Sequence, residues 1–419
     1  MRTRWFLRNG LVATLAIGGL AAGVRAQSQS RAVFVLNNVS DSITSFAIDE
    51  DGVPTRLATV PTSDGPIAAA IAPDGRHIAV THGTIDDVSE TLQIFSVASD
   101  ATVALVLSTL VPDAPLGVRW LTSEIVAVTE TDFGGNNFIR SYRFDARGRT
   151  LEPVDARNTG GFNTDLVTHP SLPLVYAQDS LGNDVRWFEF DSAGALTPRG
   201  TLSTGGIFPL RMARTNGGTM LYAAGGISGG GTNVLGLAMD AEGDLATHPG
   251  SPFMSPGDAP AYLAVSSDDR YLFVGHGGDA TIGTFAIAPD GSVAPTGFVF
   301  DVGLQGTIGD IEVLGEYLMV TDESTAGDGV AGLYSFRIKD NGDLTAVDAI
   351  VDTAGVRPET IVVWDPPTPG DLDGDGDVDF LDLLALLAAW GTGSAGADLD
   401  GSGTVDFLDL LILLAAWTG

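Results

Sequence analysis

A four-residue turn recurs at nearly constant spacing through most of this 419-residue chain. It reads DEDG, DARG, DSAG, DAEG, APDG and KDNG, and its glycines are Gly52, Gly148, Gly194, Gly243, Gly291 and Gly342. The last five glycines lie 46 to 51 residues apart, and the doubled first interval holds one more turn at Ser99-Asp100-Ala101. Seven units of about 48 residues built of short strands are typical of a β-propeller.

The unit from Ala259 to Phe300 shows the content of one repeat most clearly. Four runs of apolar, β-branched or aromatic residues cover Tyr262–Val265, Tyr271–Val274, Ile282–Ile287 and Val293–Phe300. They are separated by SSDD, GHGGD and APDG, which are turn-forming sequences. The pattern predicts a blade of four antiparallel strands.

The second strands give an independent count of the repeats. Seven of them begin at Arg31, Arg76, Glu124, Pro173, Thr219, Arg270 and Glu316. A first strand precedes six of these, but none precedes Arg31, whereas Arg357–Trp364 follows the last unit and has the character of a first strand. We therefore predict an all-β, seven-bladed propeller of four-stranded antiparallel blades over residues 27–364, closed by a C-terminal strand.

The N-terminal residues predict export from the cell. Arg2, Arg4 and Arg8 precede the apolar run Leu11–Val24, so residues 1–26 read as a signal peptide cleaved before Gln27. The alternative is an uncleaved membrane anchor, but the run is short of the ~20 residues that a span needs. We expect a secreted or cell-surface bacterial protein with no transmembrane span after cleavage.

Composition excludes several classes of function. The chain has no Cys, which rules out disulfides, thiolate metal sites and a Cys nucleophile. Its formal charge is -32, and loss of the four leader arginines makes it -36. Because nucleic acids are held mainly by Lys and Arg, we expect no nucleic-acid partner.

The seventh position of the second strands is polar in six of the seven blades. It is occupied by Asn37, His82, Glu130, Asp179, Gly225, His276 and Asp322. These side chains would lie at one height on a rim of the ring, so His82, Glu130, Asp179, His276 and Asp322 are candidates for binding a small-molecule or carbohydrate ligand. The alternative is that they satisfy the backbone groups of the adjoining turns.

The chain changes character after Trp364. Residues 365–370 form a Pro-rich linker, and residues 371–419 contain a duplication in which Asp371–Trp390 and Asp398–Trp417 share 17 of 20 residues. Each copy has oxygen-bearing side chains at calcium-loop spacing, namely Asp371, Asp373, Asp375, Asp377, Asp379 and Asp382, then Asp398, Asp400, Ser402, Thr404, Asp406 and Asp409. Calcium binds six to eight oxygens, so we predict two calcium ions, with an acidic disordered tail as the alternative.

The repeat text AVFVLNNVSDSITSFAIDEDGVPTRLATV resembles the seven-bladed lactonase family, which includes 6-phosphogluconolactonase, over about 330 residues. The resemblance implies a catalytic His, Arg and Glu at positions that hold Thr164, Leu210 and Gly226 here. Arg211 lies one residue away, where an extended strand would point it to the opposite face. Lactone hydrolysis needs a base and a cation, so the sequence assigns no catalytic residue.

The duplicated segment resembles a type I dockerin, a small α domain of two calcium loop–helix repeats, over about 50 residues. That resemblance implies a cohesin-like or other cell-surface partner, contacted through Phe380, Leu381, Phe407 and Leu408. The sequence therefore predicts a secreted, calcium-dependent docking protein whose propeller binds a ligand or partner without catalysis of its own. The alternative is a secreted hydrolase of sugar lactones, or a related carbohydrate-active enzyme, with a relocated site.

Overall fold

The computed structural model describes residues 31–83, 90–131, 137–205, 209–225, 233–302, 307–323, 332–348, 350–372, 377–394, 396–400 and 402–418. The predicted signal peptide, the glycine-rich segment 226–232 and the calcium-loop residues Asp373 and Asp375 lie outside these ranges.

Seven antiparallel sheets follow one another along the described chain. The first four contain β1 (Arg31–Asn37), β2 (Ser42–Ile48), β3 (Pro54–Pro61) and β30 (Pro358–Trp364); β4 (Pro66–Ile71), β5 (His77–His82), β6 (Thr91–Val97) and β7 (Val103–Leu110); β8 (Ala114–Trp120), β9 (Ile125–Thr131), β10 (Asn137–Asp145) and β11 (Thr150–Asn158); and β12 (Leu166–Thr168), β13 (Leu174–Asp179), β14 (Asp184–Phe190) and β15 (Leu196–Ser203).

The remaining three sheets have the same order of strands. They contain β16 (Pro209–Arg214), β17 (Met220–Gly225), β18 (Asn233–Met239), β19 (Leu245–Thr247) and β20 (Phe253–Met254); β21 (Pro260–Val265), β22 (Tyr271–His276), β23 (Thr281–Ile287) and β24 (Val293–Asp301); and β25 (Ile308–Leu314), β26 (Tyr317–Asp322), β27 (Gly332–Ile338), β28 (Leu344–Ala346) and β29 (Val351–Asp352). The predicted seven-bladed propeller is confirmed.

The first blade is completed by both ends of the propeller sequence. Strand β1 lies between β2 and β30, and Val35 pairs with Thr44 on one side and with Ile361 on the other. The innermost strand of this blade therefore comes from the C-terminal end of the ring, as the sequence predicted. Closure of this kind leaves no open edge between the first and last blades.

Contacts between neighbouring blades explain why the turn glycine recurs. The Tyr317 hydroxyl at the start of β26 donates to the Glu50 carbonyl of the first blade at 2.9 Å, and Tyr222 donates to the Gly291 carbonyl at 2.8 Å. A Cβ on Gly52 would lie 2.1 Å from the Tyr317 ring, and Gly52 has φ +81°. The turn thus needs glycine both for its backbone conformation and for the approach of the preceding blade.

The C-terminal domain, residues 371–419, contains two short helices in its described part. They are α1 (Phe380–Ala388) and α2 (Phe407–Ala415), each begun by an Asp N-cap in a capping box. A small apolar core of Val378, Leu386, Ala397, Val405 and Leu413 joins the two repeats. No helix in the described part of the chain has the length and apolar character needed to cross a membrane.

Candidate functional site

The second calcium loop brings three of its predicted ligands together. Oxygens of Asp398, Asp400 and Asp409 lie within 4.8 Å of one another. The Asp398 Oδ1 atom is buried and has no hydrogen-bond partner among the described residues, which is costly for a carboxylate oxygen unless a cation balances it. These residues fit calcium, which prefers carboxylate oxygens.

The loop backbone holds the closing aspartate in place. Asp409 accepts hydrogen bonds from the backbone N–H of Leu399 at 2.6 Å and of Asp406 at 2.7 Å. Gly403, with φ +93°, donates to Asp398 at 2.7 Å. Such a conformation favours glycine, which explains the place of Gly403 at the sharp turn of this loop.

The first loop repeats this arrangement in its described residues. Asp382 accepts from the backbone N–H of Leu372 at 2.6 Å and of Asp379 at 2.7 Å, as Asp409 does from the matching residues. Asp371 and Asp377 are described, but the predicted ligands Asp373 and Asp375 are not. Of the predicted ligands in the second loop, the Ser402 hydroxyl donates to the Thr404 carbonyl at 3.2 Å.

Both helices expose apolar side chains on their outer faces. The four predicted partner contacts, Phe380, Leu381, Phe407 and Leu408, are 54 to 61% exposed. Further along the same faces lie Leu384, Leu387, Trp390, Leu411, Leu414 and Trp417, which are also exposed. Contiguous apolar surface of this kind marks an interaction site in soluble proteins.

The polar rim positions of the second strands are buried in the structure. All five candidates, His82, Glu130, Asp179, His276 and Asp322, are at most 5% exposed. Asp179 accepts from the Gly182 N–H at 2.6 Å, and Asp322 accepts from the Thr307 N–H at 3.0 Å. Asp179 therefore supports a local turn and Asp322 supports the entry to β25, and ligand binding by the five residues stays a prediction.

Two of these rim residues carry strongly shifted pKa values. Burial raises the pKa of Glu130 to about 7, although the Tyr142 hydroxyl and the Arg140 guanidinium both bond its carboxylate. Burial lowers the pKa of His82 to about 4, so its ring is neutral at pH 7. A third histidine, His169, has a structural role between β12 and β13, since its Nδ1 accepts from the Leu172 N–H at 3.0 Å.

The side chain of Arg211 does not point in the direction that was expected from the sequence. The pairing of β16 with β17 shifts between Pro209 and Arg211, which is a β-bulge. Because the bulge adds a residue, Arg211 rather than Leu210 turns toward the central channel, and the expectation that it points away is wrong. Its guanidinium donates to the Thr164 carbonyl at 3.2 Å, while Gly226 lies outside the described residues.

The waist of the channel is narrow and charged. A cavity of about 40 Å³ lies among Arg119, Asp165, Arg211, Asp310 and Glu312. A buried water requires roughly 10–15 Å³ by this measure, so the waist has room for a few waters but not for a sugar. Burial raises the pKa of Asp310 to about 6 and that of Glu312 to about 8.

A second charged group lies where the inner strands begin, and we call it the mouth cluster: Arg211, Tyr262, Glu323, Arg357 and Glu359. The Arg357 Nε lies 3.1 Å from a Glu323 carboxylate oxygen, and another guanidinium nitrogen lies 3.5 Å from Glu359. Burial, and then the Glu359 charge, raise the pKa of Glu323 to about 7. Tyr262 is close enough to Arg211 and to both glutamates for their charges to shift its pKa.

Sequence reasoning missed the mouth cluster because it followed the second strands. The inner strands contain the pattern that could have indicated the waist and the mouth cluster. Charged or phenolic residues occur there among apolar ones, at Asp165, Arg211, Tyr262 and Asp310. Such residues rarely face a sheet-on-sheet core, since an unpaired buried charge is costly. For Arg211, Tyr262 and Asp310, the direction toward the channel depends on the bulges that begin their strands.

The architecture defines the class of protein: a closed seven-bladed propeller followed by a calcium loop–helix pair. Residues 181–312 match the family model of the lactonase seven-bladed β-propeller, and residues 369–416 match that of the dockerin type I domain. Both resemblances read from the sequence are therefore confirmed. None of the curated proteins matches the sequence.

Solved structures share the propeller fold at low sequence identity. The periplasmic gluconolactonase of Pseudomonas aeruginosa is 17% identical, with a TM-score of 0.67 over 80% of this chain and 99% of that protein. A Bacteroides fragilis protein considered to be a 6-phosphogluconolactonase is 16% identical, with a TM-score of 0.69 over 80% of this chain and 98% of that protein. Identities this low establish the fold alone.

Proposed function

We propose that this is an exported docking protein: its C-terminal domain attaches it to a cohesin-like surface partner when calcium is bound, and its propeller presents a ligand site. The observation that carries the proposal is the pair of exposed apolar helix faces, each next to an acidic loop of calcium-binding type. The proposal includes the domain limits 1–26, 27–364, 365–370 and 371–419.

Calcium explains how these helices can exist in an acidic segment. From Asp365 onward the sequence contains eleven Asp and no Lys, Arg, His or Glu. Two calcium ions would supply four positive charges where protein cations are absent, and would close the loops against the first turn of each helix. The acidic border also favours a partner whose apolar groove is flanked by Lys or Arg.

The propeller ligand is assigned to the mouth cluster. The waist beneath it is too narrow for an organic molecule, so a ligand entering from this side would stop at Arg211, Tyr262, Glu323, Arg357 and Glu359. Two guanidinium groups, two carboxyl groups and a phenol can donate to and accept from several hydroxyls at once. We therefore propose a small polyhydroxylated or carboxylated molecule as the ligand.

The docking proposal is tested on the full-length protein with an immobilised type I cohesin domain. Binding to the cohesin should require calcium. The double variant Phe380→Ser with Phe407→Ser should weaken binding at least about tenfold, since it removes two aromatic side chains that the complex would bury. Leu110→Ser is the matched control, because Leu110 is an exposed leucine of the propeller. Cohesin binding that survives chelation, or that Leu110→Ser weakens equally, would refute the proposal.

Lactone hydrolysis is the second candidate, favoured by one observation. Glu323, with a pKa near 7, lies beside the Arg357 cation, and these are the two kinds of group that the reaction needs. We expect no hydrolysis of gluconolactone above buffer, because the family positions Thr164 and Leu210 hold neutral side chains. Turnover that Glu323→Gln abolishes would establish the hydrolase instead.

A further inference from the structure

A serine and a histidine lie in direct contact where the fifth and sixth blades meet. The Ser255 Oγ is 2.6 Å from the Nε2 of His276, the last residue of β22. Both residues are buried, at 5% and 0% exposure. The sequence placed His276 on the rim but gave no indication of this partner.

The hydrogen bonds around His276 determine which of its ring nitrogens carries the proton. Its Nδ1 lies 2.9 Å from the Thr281 carbonyl, which can only accept, so Nδ1 is the protonated nitrogen. The Thr281 hydroxyl, 3.0 Å from the same nitrogen, donates in turn to Asp279 at 2.8 Å. Nε2 is therefore the acceptor, and the Ser255 hydroxyl donates to it.

The imidazole is neutral and held in one orientation. Burial lowers the pKa of His276, although the Thr281 backbone and the Asp279 and Asp258 charges oppose the shift, and this favours the neutral ring. A Cβ on Gly257 would lie 2.5 Å from the ring, and one on Gly283 would lie 3.2 Å from it. Two glycine backbones thus enclose the ring and restrict its rotation.

Ser255 also lines a surface cavity of about 390 Å³ between the two blades. Its other walls are apolar and include Phe253, Met254, Val293 and Pro295, of which Met254 is 73% exposed. A cavity of this size and lining suits a short apolar chain.

We propose that Ser255 is a nucleophile for acyl transfer, activated by His276, and that the apolar cavity accepts the acyl chain of a short carboxylic ester. The Ser255 Oγ bonds to the ester carbonyl carbon while its proton passes to His276 Nε2. The carbon–oxygen bond to the alcohol then breaks, and His276 gives that proton to the departing alcohol. Water attacks the acyl-serine, His276 takes the water proton and returns it to Oγ, and the carboxylic acid is released.

The test treats intact protein with a fluorophosphonate probe and maps the modified residue by peptide mass spectrometry. We expect the adduct on Ser255, together with p-nitrophenol release from p-nitrophenyl butyrate. His276→Gln should slow both reactions at least about 100-fold, because the general base is lost. Both rates should also fall as the pH drops and His276 becomes protonated.

Ser251→Ala is the matched control, since Ser251 lies in the same loop and its hydroxyl accepts from the Gly236 N–H instead of contacting a histidine. It should react like the wild type. Glu323→Gln and chelation should also leave labelling unchanged, which separates this activity from the proposed docking and lactone functions. No adduct on Ser255 of the wild-type protein, or equal labelling after His276→Gln, would overturn the proposal, and neither result depends on Ser255 variants folding.

Discussion

The propeller and the C-terminal domain place their apolar side chains in opposite ways. Propeller strands bury theirs between blades, and aromatic residues such as Phe34, Phe273 and Phe336 are fully enclosed. In the described residues, ten of the nineteen exposed large apolar side chains lie between Phe380 and Trp417. The propeller therefore buries most of its apolar side chains itself, whereas the C-terminal domain leaves an apolar surface exposed.

The propeller and the C-terminal domain also differ in their charged residues. Every Lys and Arg after the signal peptide precedes Asp365, and several pair with buried carboxylates, as Arg140 does with Glu130 at 2.6 Å. The C-terminal domain has carboxylates but no cation of its own. The propeller thus pairs some of its carboxylates with its own cations, whereas the C-terminal domain has no cation with which to pair its carboxylates. The predictions below test that contrast, beginning with the largest expected effect.

Ring closure should have the largest effect. Truncation after Ala354 removes β30 (Pro358–Trp364), which is the inner strand of the first blade, and exposes the edge of β1. We expect loss of more than about 5 kcal/mol, which is enough to unfold or aggregate a typical domain. Truncation after Gly370 removes the C-terminal domain alone and should leave the propeller's thermal transition nearly unchanged. If calorimetry gives the same melting temperature for both truncated proteins, closure by β30 does not contribute to the stability of the propeller.

Calcium removal should have the next largest effect, confined to the C-terminal domain. A ligand at 1,000 times its dissociation constant stabilises a folded state by about 4 kcal/mol per site. We expect chelation, or Asp371→Ala with Asp398→Ala, to abolish the helical circular dichroism of α1 and α2 while the propeller transition persists. Equal helicity with and without calcium would contradict this expectation.

The fold could be read from the sequence because its determinants are local. Turn glycines such as Gly52 and Gly342 repeat with the blades, since each has a positive φ and admits an aromatic ring from the preceding blade. The calcium loops were also readable, because their ligands are close in sequence. The C-terminal position of the closing strand followed from counting strands.

The propeller sites were harder to predict because they depend on register and on distant contacts. A bulge that begins at Pro209 decides whether Arg211 faces the channel, and strand alternation alone does not reveal it. Ser255 and His276 meet through a connection between blades, 21 residues apart. Regular alternation along a strand cannot reveal either arrangement.

Gly52→Ala should have a moderate effect by disturbing the contact between the first and last blades. The new Cβ would lie 2.1 Å from the Tyr317 ring at a residue with φ +81°. Strain and displacement of the ring together should cost about 2–4 kcal/mol. Gly297→Ala is the control, since Gly297 has φ +88° but no atom within 4 Å of the added carbon. It should cost about 1–2 kcal/mol, and equal losses in denaturant unfolding would show that the tyrosine contact contributes nothing.

The smallest expected effect concerns opposite responses to pH. The pKa of buried Glu130 is raised from 4.5 to about 7 in the folded propeller, so its contribution to stability is complete below pH 4.5 and is lost as the pH rises through 7. In the C-terminal domain, burial acts to raise the pKa of Asp409, but backbone N–H donors outweigh it and hold that pKa below its usual value. Stability from Asp409 is therefore lost as the pH falls.

Glu130→Gln isolates the propeller half of this contrast. Because glutamine does not ionise, wild-type stability minus variant stability should fall by up to about 3 kcal/mol between pH 4.5 and pH 8. Denaturant unfolding of the propeller at several pH values measures the difference, and Asp310 and Glu312 cancel because both proteins contain them. A difference that stays flat with pH would mean that Glu130 ionises at its ordinary pKa, so that Arg140 and Tyr142 fully offset its burial.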